Sequence, residues 1–467
     1  MDKNLLLNRD EAFEESMGKI YQWFEEKMYF KIKDEFLKYN EADIAEMFEE
    51  FLAYDDLLTR AIVVYRLLPK SVMVDVFAYL PSDDQLKIVE RITDAELNYI
   101  IGEMDFDDKI DILEELPATL VNRILENTPK TERKLINTFL NYPDDCAGSI
   151  MTPDFISLQK EWTVKEAMAH IKEVGMDTET IYTCYVKDGA YKLVGIVSLR
   201  TLVIAPDEER IMNLMHTDFV CVQVNDDQEE VSEAFKKYDF IAMPVVDKEH
   251  RIVGIVTVDD ILDVIEDETT EDIEYMAGII DLEDTDKEYL DKSVFQHVKA
   301  RLPWLLTMMV ALMVTGAIVS SFEEVLSKVV VLVAYMPLLM GMGGNTGSQA
   351  STLIVRGLSL NEVELEDTFK ILWKEFRISF CIGTVLSIFN FAKIMIVDGE
   401  SAAIAFTVCM SLILIVTFAK CLGGLVPMIA KRLNADPALM ANPVIASLTD
   451  MVSVLIYFLM AKLVLGL

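Results

Sequence analysis

PLLMGMGGNTGSQASTLIVRG, residues 337–357, decides how the chain is read. It lies inside a long apolar segment that begins near Val329 and carries Gly341, Gly343, Gly344 and Gly347 among Asn345, Thr346, Ser348, Gln349, Ser351 and Thr352. In a membrane, backbone-loosening and polar residues are tolerated only where protein or water satisfies them. Two readings follow. The small residues form a tight helix-packing face, or the segment lines a hydrophilic path.

Further apolar segments surround it. Five spans of roughly 20 or more residues, enough to cross a bilayer, fall at about 301–322, 329–355, 376–397, 402–429 and 438–464. With the first 300 residues on the cytoplasmic side, the inner flanks hold Lys299, Arg301, Arg356, Lys370, Lys374, Arg377, Lys431 and Arg432. The outer ones hold Lys328, Lys393 and Lys462. That bias follows the positive-inside rule and predicts a multi-pass protein of the cytoplasmic membrane, N-terminus cytoplasmic and C-terminus outside. The last span contains Asp450 at its middle. A carboxylate there costs about 2.5–3.5 kcal/mol on insertion scales, and its default meaning is an ion pathway. The plainer alternative is a protonated Asp450 hydrogen-bonded to the helix of Asn345 and Gln349. No histidine lies in the five spans, which favours a hard, oxygen-loving ion over a soft metal.

Net charge is -36, unevenly spread. From Ser293 onward there are 12 Lys and Arg against 11 Asp and Glu, leaving 30 against 67 before it, a charge of -37. So acidic a surface repels nucleic acid and attracts cations. Six cysteines form no C-x-x-C pair, which suits a reducing compartment. The charged N-terminus has no cleavable signal pattern.

Residues 1–140 read as an acidic, all-helical, solenoid-like N-domain whose short helices stop at Leu68-Pro69, Leu80-Pro81, Leu116-Pro117 and Thr128-Pro129. Asp105, Asp107, Asp108 and Asp111 cluster at one turn, with Asp107 and Asp111 on one helix face. They are an N-cap with solvated neighbours, or a divalent-cation site shared with another domain.

Residues 141–267 change to a duplicated strand–helix pattern. Helices are expected at 164–174 and 231–238, and strands at 183–186, 193–198, 242–246 and 252–257. Each copy ends alike, Gly195-Ile-Val-Ser198 and Gly254-Ile-Val-Thr257. This resembles a tandem CBS (Bateman) pair, whose Gly-x-x-Ser/Thr-x-x-Asp phrase binds adenine nucleotides. Thr257 and Asp260 fit the phrase; the first copy has Thr201 where Asp is expected, beside Arg200. The resemblance therefore implies ATP at one site, with Arg200, Phe240, Thr257 and Asp260, or a scaffold without nucleotide. Residues 268–297 read as an acidic connecting helix. One face would carry Asp260, Asp263, Asp267, Glu271 and Glu274, and the other Ile261, Leu262, Ile265 and Ile273.

Two membrane phrases complete the picture: Gly343-Gly-Asn-Thr-Gly-Ser-Gln349, and Asp436-Pro-Ala-Leu439 followed by Asn442-Pro-Val-Ile-Ala-Ser-Leu-Thr-Asp450. With the domain order, they resemble the MgtE family of magnesium channels and transporters. The resemblance implies a multidomain membrane protein: an all-α superhelical N-domain, an α/β tandem CBS domain, a connecting (plug) helix and five transmembrane α-helices in residues 298–467. It implies a homodimer in the lipid bilayer and no enzyme activity. It implies Mg²⁺ permeating at Asp450 with Asn442 and Ala446, along a path lined by Gly343, Gly344, Asn345, Thr346, Gly347 and Gln349. Regulatory Mg²⁺ at Asp107, Asp111, Glu229, Asp239, Asp260, Asp263, Glu271, Asp272 and Asp436 would close it. The alternatives are a carrier coupling Mg²⁺, Co²⁺ or Mn²⁺ to Na⁺ or H⁺, an intramembrane aspartyl hydrolase, which needs a second carboxylate at depth, and a membrane-anchored nucleotide sensor.

Overall fold

The computed structural model describes residues 3–280, 289–290, 292–439 and 442–466. It forms two compact units, Met1–Glu266 and Asp267–Leu467.

The first unit begins with ten helices: α1 (Lys3–Glu25), α2 (Tyr29–Phe36), α3 (Glu41–Leu52), α4 (Asp55–Tyr65), α5 (Lys70–Ala78), α6 (Ser82–Val89), α7 (Asp94–Glu103), α8 (Phe106–Glu115), α9 (Ala118–Asn127) and α10 (Lys130–Phe139). The prolines that end one helix also start the next. Pro69, Pro81, Pro117 and Pro129 occupy the N-cap positions of α5, α6, α9 and α10, where the missing N–H costs nothing. Aromatic side chains fill the early core, including Phe24, Phe36, Phe48, Phe51 and Phe77.

Two three-stranded sheets follow. The first repeat runs β1 (Phe155–Gln159), α11 (Val164–Val174), β2 (Thr180–Lys187), β3 (Leu193–Ser198) and α12 (Leu199–Ile204), with a short α13 (Ile211–Leu214) after it. The second runs β4 (Val222–Gln223), α14 (Gln228–Tyr238), β5 (Ala242–Val246), β6 (Ile252–Thr257) and α15 (Val258–Met276). In each sheet the first pair is parallel and the second antiparallel. The repeats clasp one another. Thr152 exchanges both backbone bonds with Ile255 of β6, and His216 does the same with Ile196 of β3, at 2.8–3.0 Å. This explains the matched glycines. A Cβ on Gly254 would lie 2.9 Å from the Thr152 carbonyl, and one on Gly195 would lie 3.0 Å from that of His216. β1 and β4 escaped the sequence reading. β4 has two residues, and β1 is a short parallel edge strand with an irregular register.

The second unit holds α16 (Val294–Ser321), α17 (Glu323–Lys328), α18 (Leu332–Ser359), α19 (Thr368–Lys393), α20 (Ala402–Arg432) and α21 (Asn442–Leu465). A π-helical turn, Ile394–Asp398, ends α19. There Asp398 accepts bonds from Tyr335 (2.8 Å) and Lys393 (2.6 Å). Among the described residues four helices are long and apolar enough to span a membrane. α18 has the length, 28 residues, and its polar run is what lowers its hydropathy. Buried residues of α18, α20 and α21 share one core, including Leu332, Tyr335, Ile415, Val416, Tyr457 and Phe458.

The connecting helix corrects the expected pattern. α15 ends at Met276, followed by Gly278 with φ +73°; residues 281–288 and 291 of the expected 268–297 helix lie outside the described set. Its faces are also not divided as expected. Ile261 and Val264 are buried, whereas Leu262 and Ile273 are each 61% exposed. Asp260 and Asp272 instead sit on partly covered positions.

The clasp gives a test. Gly254→Val should destabilise the chain by about 1–3 kcal/mol, the usual cost of overpacking. Gly189→Val, with nothing within 4 Å, should change stability by less than about 0.5 kcal/mol. Thermal unfolding of both variants checks this; equal effects would refute the clasp argument.

Candidate ion pathway and regulatory sites

The acidic turn at the start of α8 is not a cap. Asp105 occupies the N-cap position, but its side chain makes no capping bond. The carboxylates are instead drawn against the CBS pair: Phe106, Ile110 and Leu113 of α8 share a buried cluster with Ile261 of α15. Asp107 Oδ1 is buried and makes no hydrogen bond. Burial, then the charges of Asp107 and Asp108, push Asp111 up to about 8. Burial raises Asp260 to about 7 with the charges of Asp107 and Asp259, against the opposing bond from Thr257. Asp108 rises to about 6, by burial and then by Asp107. Asp107 is raised by burial, and Asp263 by burial and then by Glu266.

The expected regulatory set left out Asp105, Asp108, Asp259 and Glu179, whose charges act on this cluster or are raised by it. Glu179 stands just before β2, where its N–H donates to the Asp154 carbonyl at 2.9 Å. Burial, then Asp107, Asp105, Asp259 and Asp260, push it to about 8. A carboxylate immediately ahead of a buried strand was the available signal, but nothing in the spacing says that α8 faces it. These groups supply oxygen donors alone. Among the described residues no three acidic, His or Cys side chains converge as a ready-made coordination cage. A hydrated Mg²⁺, held through its own waters by few carboxylates, fits such a loose set.

The other expected regulatory residues do not join this cluster as one group. Glu229 and Asp239 stand at opposite ends of α14, Asp239 as a left-handed C-cap. Ten residues of helix separate them by about 15 Å, too far to share an ion. Asp272 and Asp436 do come together, in the second unit. Burial and then the Asp436 charge raise Asp272 to about 6, with Glu268 and Glu271 adding to it. Asp436 Oδ1 accepts from the Ala438 N–H at 2.7 Å. Tyr275 and Met276 pack on Val355 and Ala438, and Ile280 N–H donates to the Ala300 carbonyl at 3.1 Å. Gly278 lies so close to the Trp304 indole that any Cβ would collide with it. The end of α15 is thereby held against the first turns of α16, the end of α18 and Ala438 ahead of α21.

The nucleotide phrase differs between repeats as expected. Thr257 donates to Asp260 Oδ2 at 2.5 Å. In the first repeat Ser198 Oγ pairs with Thr201 Oγ1 at 2.9 Å and caps α12. Phe240 stacks on Tyr238 at 5.4 Å, and Arg200 is exposed.

In the membrane unit the polar run of α18 splits in two. Gly343, Thr346 and Gly347 are buried against the chain itself. A Cβ on Gly343 would meet Thr449 at 2.7 Å, and one on Gly347 would meet Ile445 at 2.7 Å. The Thr346 hydroxyl is taken by the Met342 and Gly343 carbonyls. Within the described residues these three pack helices. Asn345, Gln349, Thr352 and Arg356 form the exposed stripe, with Gly344 at its edge, where an added Cβ would lie 3.8 Å from Ala446. Asp450 lies one turn beyond Ala446 on α21, half-buried. Asn442 opens α21. Three cysteines also lie in the spans; Cys409 is buried and bonded to the Ser387 carbonyl.

The comparisons with known proteins agree with this architecture. The family described as divalent cation transporter (MgtE) matches residues 336–460, the MgtE intracellular N domain matches 39–145, and the CBS domain matches 147–208 and 211–267. The magnesium transporter MgtE of Thermus thermophilus is 36% identical over 407 residues, covering 86% of this chain and 89% of the relative. That of Bacillus subtilis is 34% identical over 387 residues, covering 83% and 84%. Two solved structures are similar to the first part of the chain. One is the soluble part of a magnesium transporter (30% identity, 55% of this chain and 99% of the other, TM-score 0.49). The other is the cytosolic domain of the Mg²⁺ channel MgtE in complex with ATP (30%, 53% and 98%, TM-score 0.49). With identity of this order over most of both chains, the protein belongs to the MgtE family of magnesium transporters, which are not enzymes.

Proposed function

We propose that this protein is a Mg²⁺-selective channel of the cytoplasmic membrane that admits Mg²⁺ and is closed by Mg²⁺ bound at its acidic sites. It acts as a homodimer, with its N-terminus cytoplasmic and its C-terminus outside. The carrying observation is Asp450, a carboxylate in an apolar helix with no hydrogen bond or ion pair among the described residues, beside the uncovered polar stripe of α18. A second copy of the chain would bring two such stripes and two Asp450 side chains to a common axis. Few carboxylates around a hydrated ion suit Mg²⁺, which sheds water reluctantly.

Closure follows from linkage. Carboxylates of α8, α15 and the Glu179 loop repel one another when packed, and a divalent ion bound better to the packed arrangement than to a looser one shifts the population toward it. α15 carries both Asp260 and Asp272. Glu229, Asp239, Asp263, Glu271 and Asp436 supply further cation contacts. ATP at Thr257, Asp260, Arg200 and Phe240 rests on the bonded Thr257–Asp260 phrase and would compete with the cation for Asp260. A carrier coupled to Na⁺ or H⁺ is the alternative; Mg²⁺ currents that persist without either gradient exclude it.

Two outcomes test this. Asp450→Ala should lower Mg²⁺ flux into liposomes by about tenfold or more, as expected for a pathway carboxylate, with the melting temperature unchanged. Undiminished selective flux would sink the assignment.

The acidic cluster predicts a pH dependence. The folded protein holds protons on Asp111, Glu179 and Asp260 up to about pH 7–8, whereas unfolded carboxylates lose theirs near pH 4. Without divalent ions, stability should therefore fall as pH rises from about 4 through about 8. Saturating Mg²⁺ should flatten that slope, and Asp107→Asn or Asp260→Asn should raise the Mg²⁺ needed for protection from protease. Stability that climbs with pH in this window, or equal protection by Na⁺ at matched ionic strength, would overturn the sensor.

A further inference from the structure

A second charged group lies in the membrane unit, away from the polar stripe. Glu375 of α19 and Lys420 of α20 are buried, 6% and 4% exposed, with Lys420 Nζ 3.6 Å from Glu375 Oε2. That oxygen makes no hydrogen bond. As a source of stability the pair is poor. Two desolvated charges repay their cost only with close geometry and further hydrogen bonds, and apolar residues of similar volume usually serve as well or better.

The surroundings show what the pair does instead. α20 lies between α18 and α19, and one turn of it serves both. Ala419 and Gly423 face α18: the Ala419 carbonyl is 3.2 Å from a Cβ placed on Gly347, and Gly423 would touch Ala350 at 3.0 Å. Lys420 and Gly424 face α19: a Cβ on Gly424 would sit 3.6 Å from Glu375 Cγ and 3.3 Å from Ile371. Contacts made by Gly and Ala are close but have no knob to resist rotation of the helix about its axis. Beyond Ile371, which shares a buried cluster with Met428 of α20, the buried face of α19 is small or polar, namely Ser379, Gly383, Ser387 and Asn390. In this turn the directional contact is the ion pair. With the apolar contacts of Ile371 and Met428 one turn away, it helps to set which face of α20 meets α19, and hence which face meets Gly347 and Ala350. That setting in turn decides where the opposite side of α18, with Asn345 and Gln349, points.

We infer that Glu375 and Lys420 are positioning residues for ion transport, holding α20 in the rotational setting that presents the polar stripe of α18. The inference rests on the reading of α18 as the pathway. The pair touches no ion; it acts through Ala419 and Gly423.

The test uses the full chain in liposomes, reading Mg²⁺ flux, its competition by Co²⁺ and the melting temperature. Glu375→Gln and Lys420→Met alone should lower both stability and flux, because each strands a buried charge. The double variant Glu375→Met/Lys420→Met should recover the melting temperature but admit Co²⁺ at least about fivefold better relative to Mg²⁺, a difference of about 1 kcal/mol. The reversed pair, Glu375→Lys/Lys420→Glu, should restore selectivity. A stable double variant with unchanged flux and selectivity overturns the inference. If the double variant fails to fold, Glu375→Asp carries the test: it keeps the charge one methylene shorter, and unchanged selectivity again overturns the proposal. Asp450→Ala, measured alongside, separates the two readings. Full flux there defeats the pathway itself, whereas loss of flux there with an indifferent pair defeats the positioning role alone.

Discussion

A carboxylate removed from water needs a cation or a proton beside it, and much of this structure is organised by how that demand is met. The charge of residues 1–292 is -37, and folding carries part of it out of solvent. In the first unit Asp107, Asp108, Asp111, Glu179 and Asp260 are packed together, and proton uptake is the answer available without a metal ion, hence their raised affinities for protons. In the second unit Glu375 is answered by Lys420. Asp450 has no such partner among the described residues. The first arrangement stays responsive to what is dissolved around it, the second is internal, and in the third the carboxylate is left without a protein partner.

Close backbone approach is the complementary device, and it recurs in two solvents. In the CBS pair, Gly195 and Gly254 let a segment of one repeat bond to the last strand of the other. Among the membrane helices, Gly423 lets α20 approach the α18 backbone at Gly347, and Gly343 and Gly347 make room for Thr449 and Ile445 of α21. Such contacts bring dispersion and backbone proximity but little directionality. Polar groups must then supply orientation, which is why the ion pair and the hydroxyl-rich face of α19 sit where the small residues are.

Much of this was legible in the sequence, for particular reasons. The CBS strands 193–198, 242–246 and 252–257 and the helix 164–174 are found at those residues, because each is a strong period bounded by turn residues. The run of residues 337–357 announced its own conflict with lipid. What could not be read was which side of α18 each residue takes. A stretch of Gly, Asn, Thr and Gln has no apolar side to decide whether Thr346 or Asn345 turns inward, and the packing of Thr449, Ile445 and Ala419 decided it. Lys420 was hidden for a related reason: a lone charge in the apolar middle of α20, a 31-residue helix whose other charges, Lys431 and Arg432, stand at its end, looks like an exception until its partner, 45 positions away, is found. The two-faced reading of α15 failed because Leu262 and Ile273 were assumed buried by their chemistry, whereas Asp260 is drawn in by Thr257 and by the approach of α8.

On the gating reading, the spread of acidic groups is itself informative. Moving a two-state equilibrium from 1:99 to 99:1 takes about 5.5 kcal/mol of differential binding. A single loose site holding a hydrated ion through one or two carboxylates would supply only part of that. Raising its affinity enough would make it saturate far below the concentration it is meant to sense. Several weak sites avoid the conflict. Glu229 and Asp239 cannot share an ion, and Asp272 with Asp436 forms a group of its own, so the cation contacts are separate and their contributions accumulate. Each ion that neutralises one pair also lowers the repulsion felt by the next, as the mutual dependence of Asp107, Asp111 and Asp260 shows. The response is then steep around the concentration at which the weak sites fill together. That steepness follows from placing many carboxylates on α8, α14 and α15, with no strong cage at any one of them.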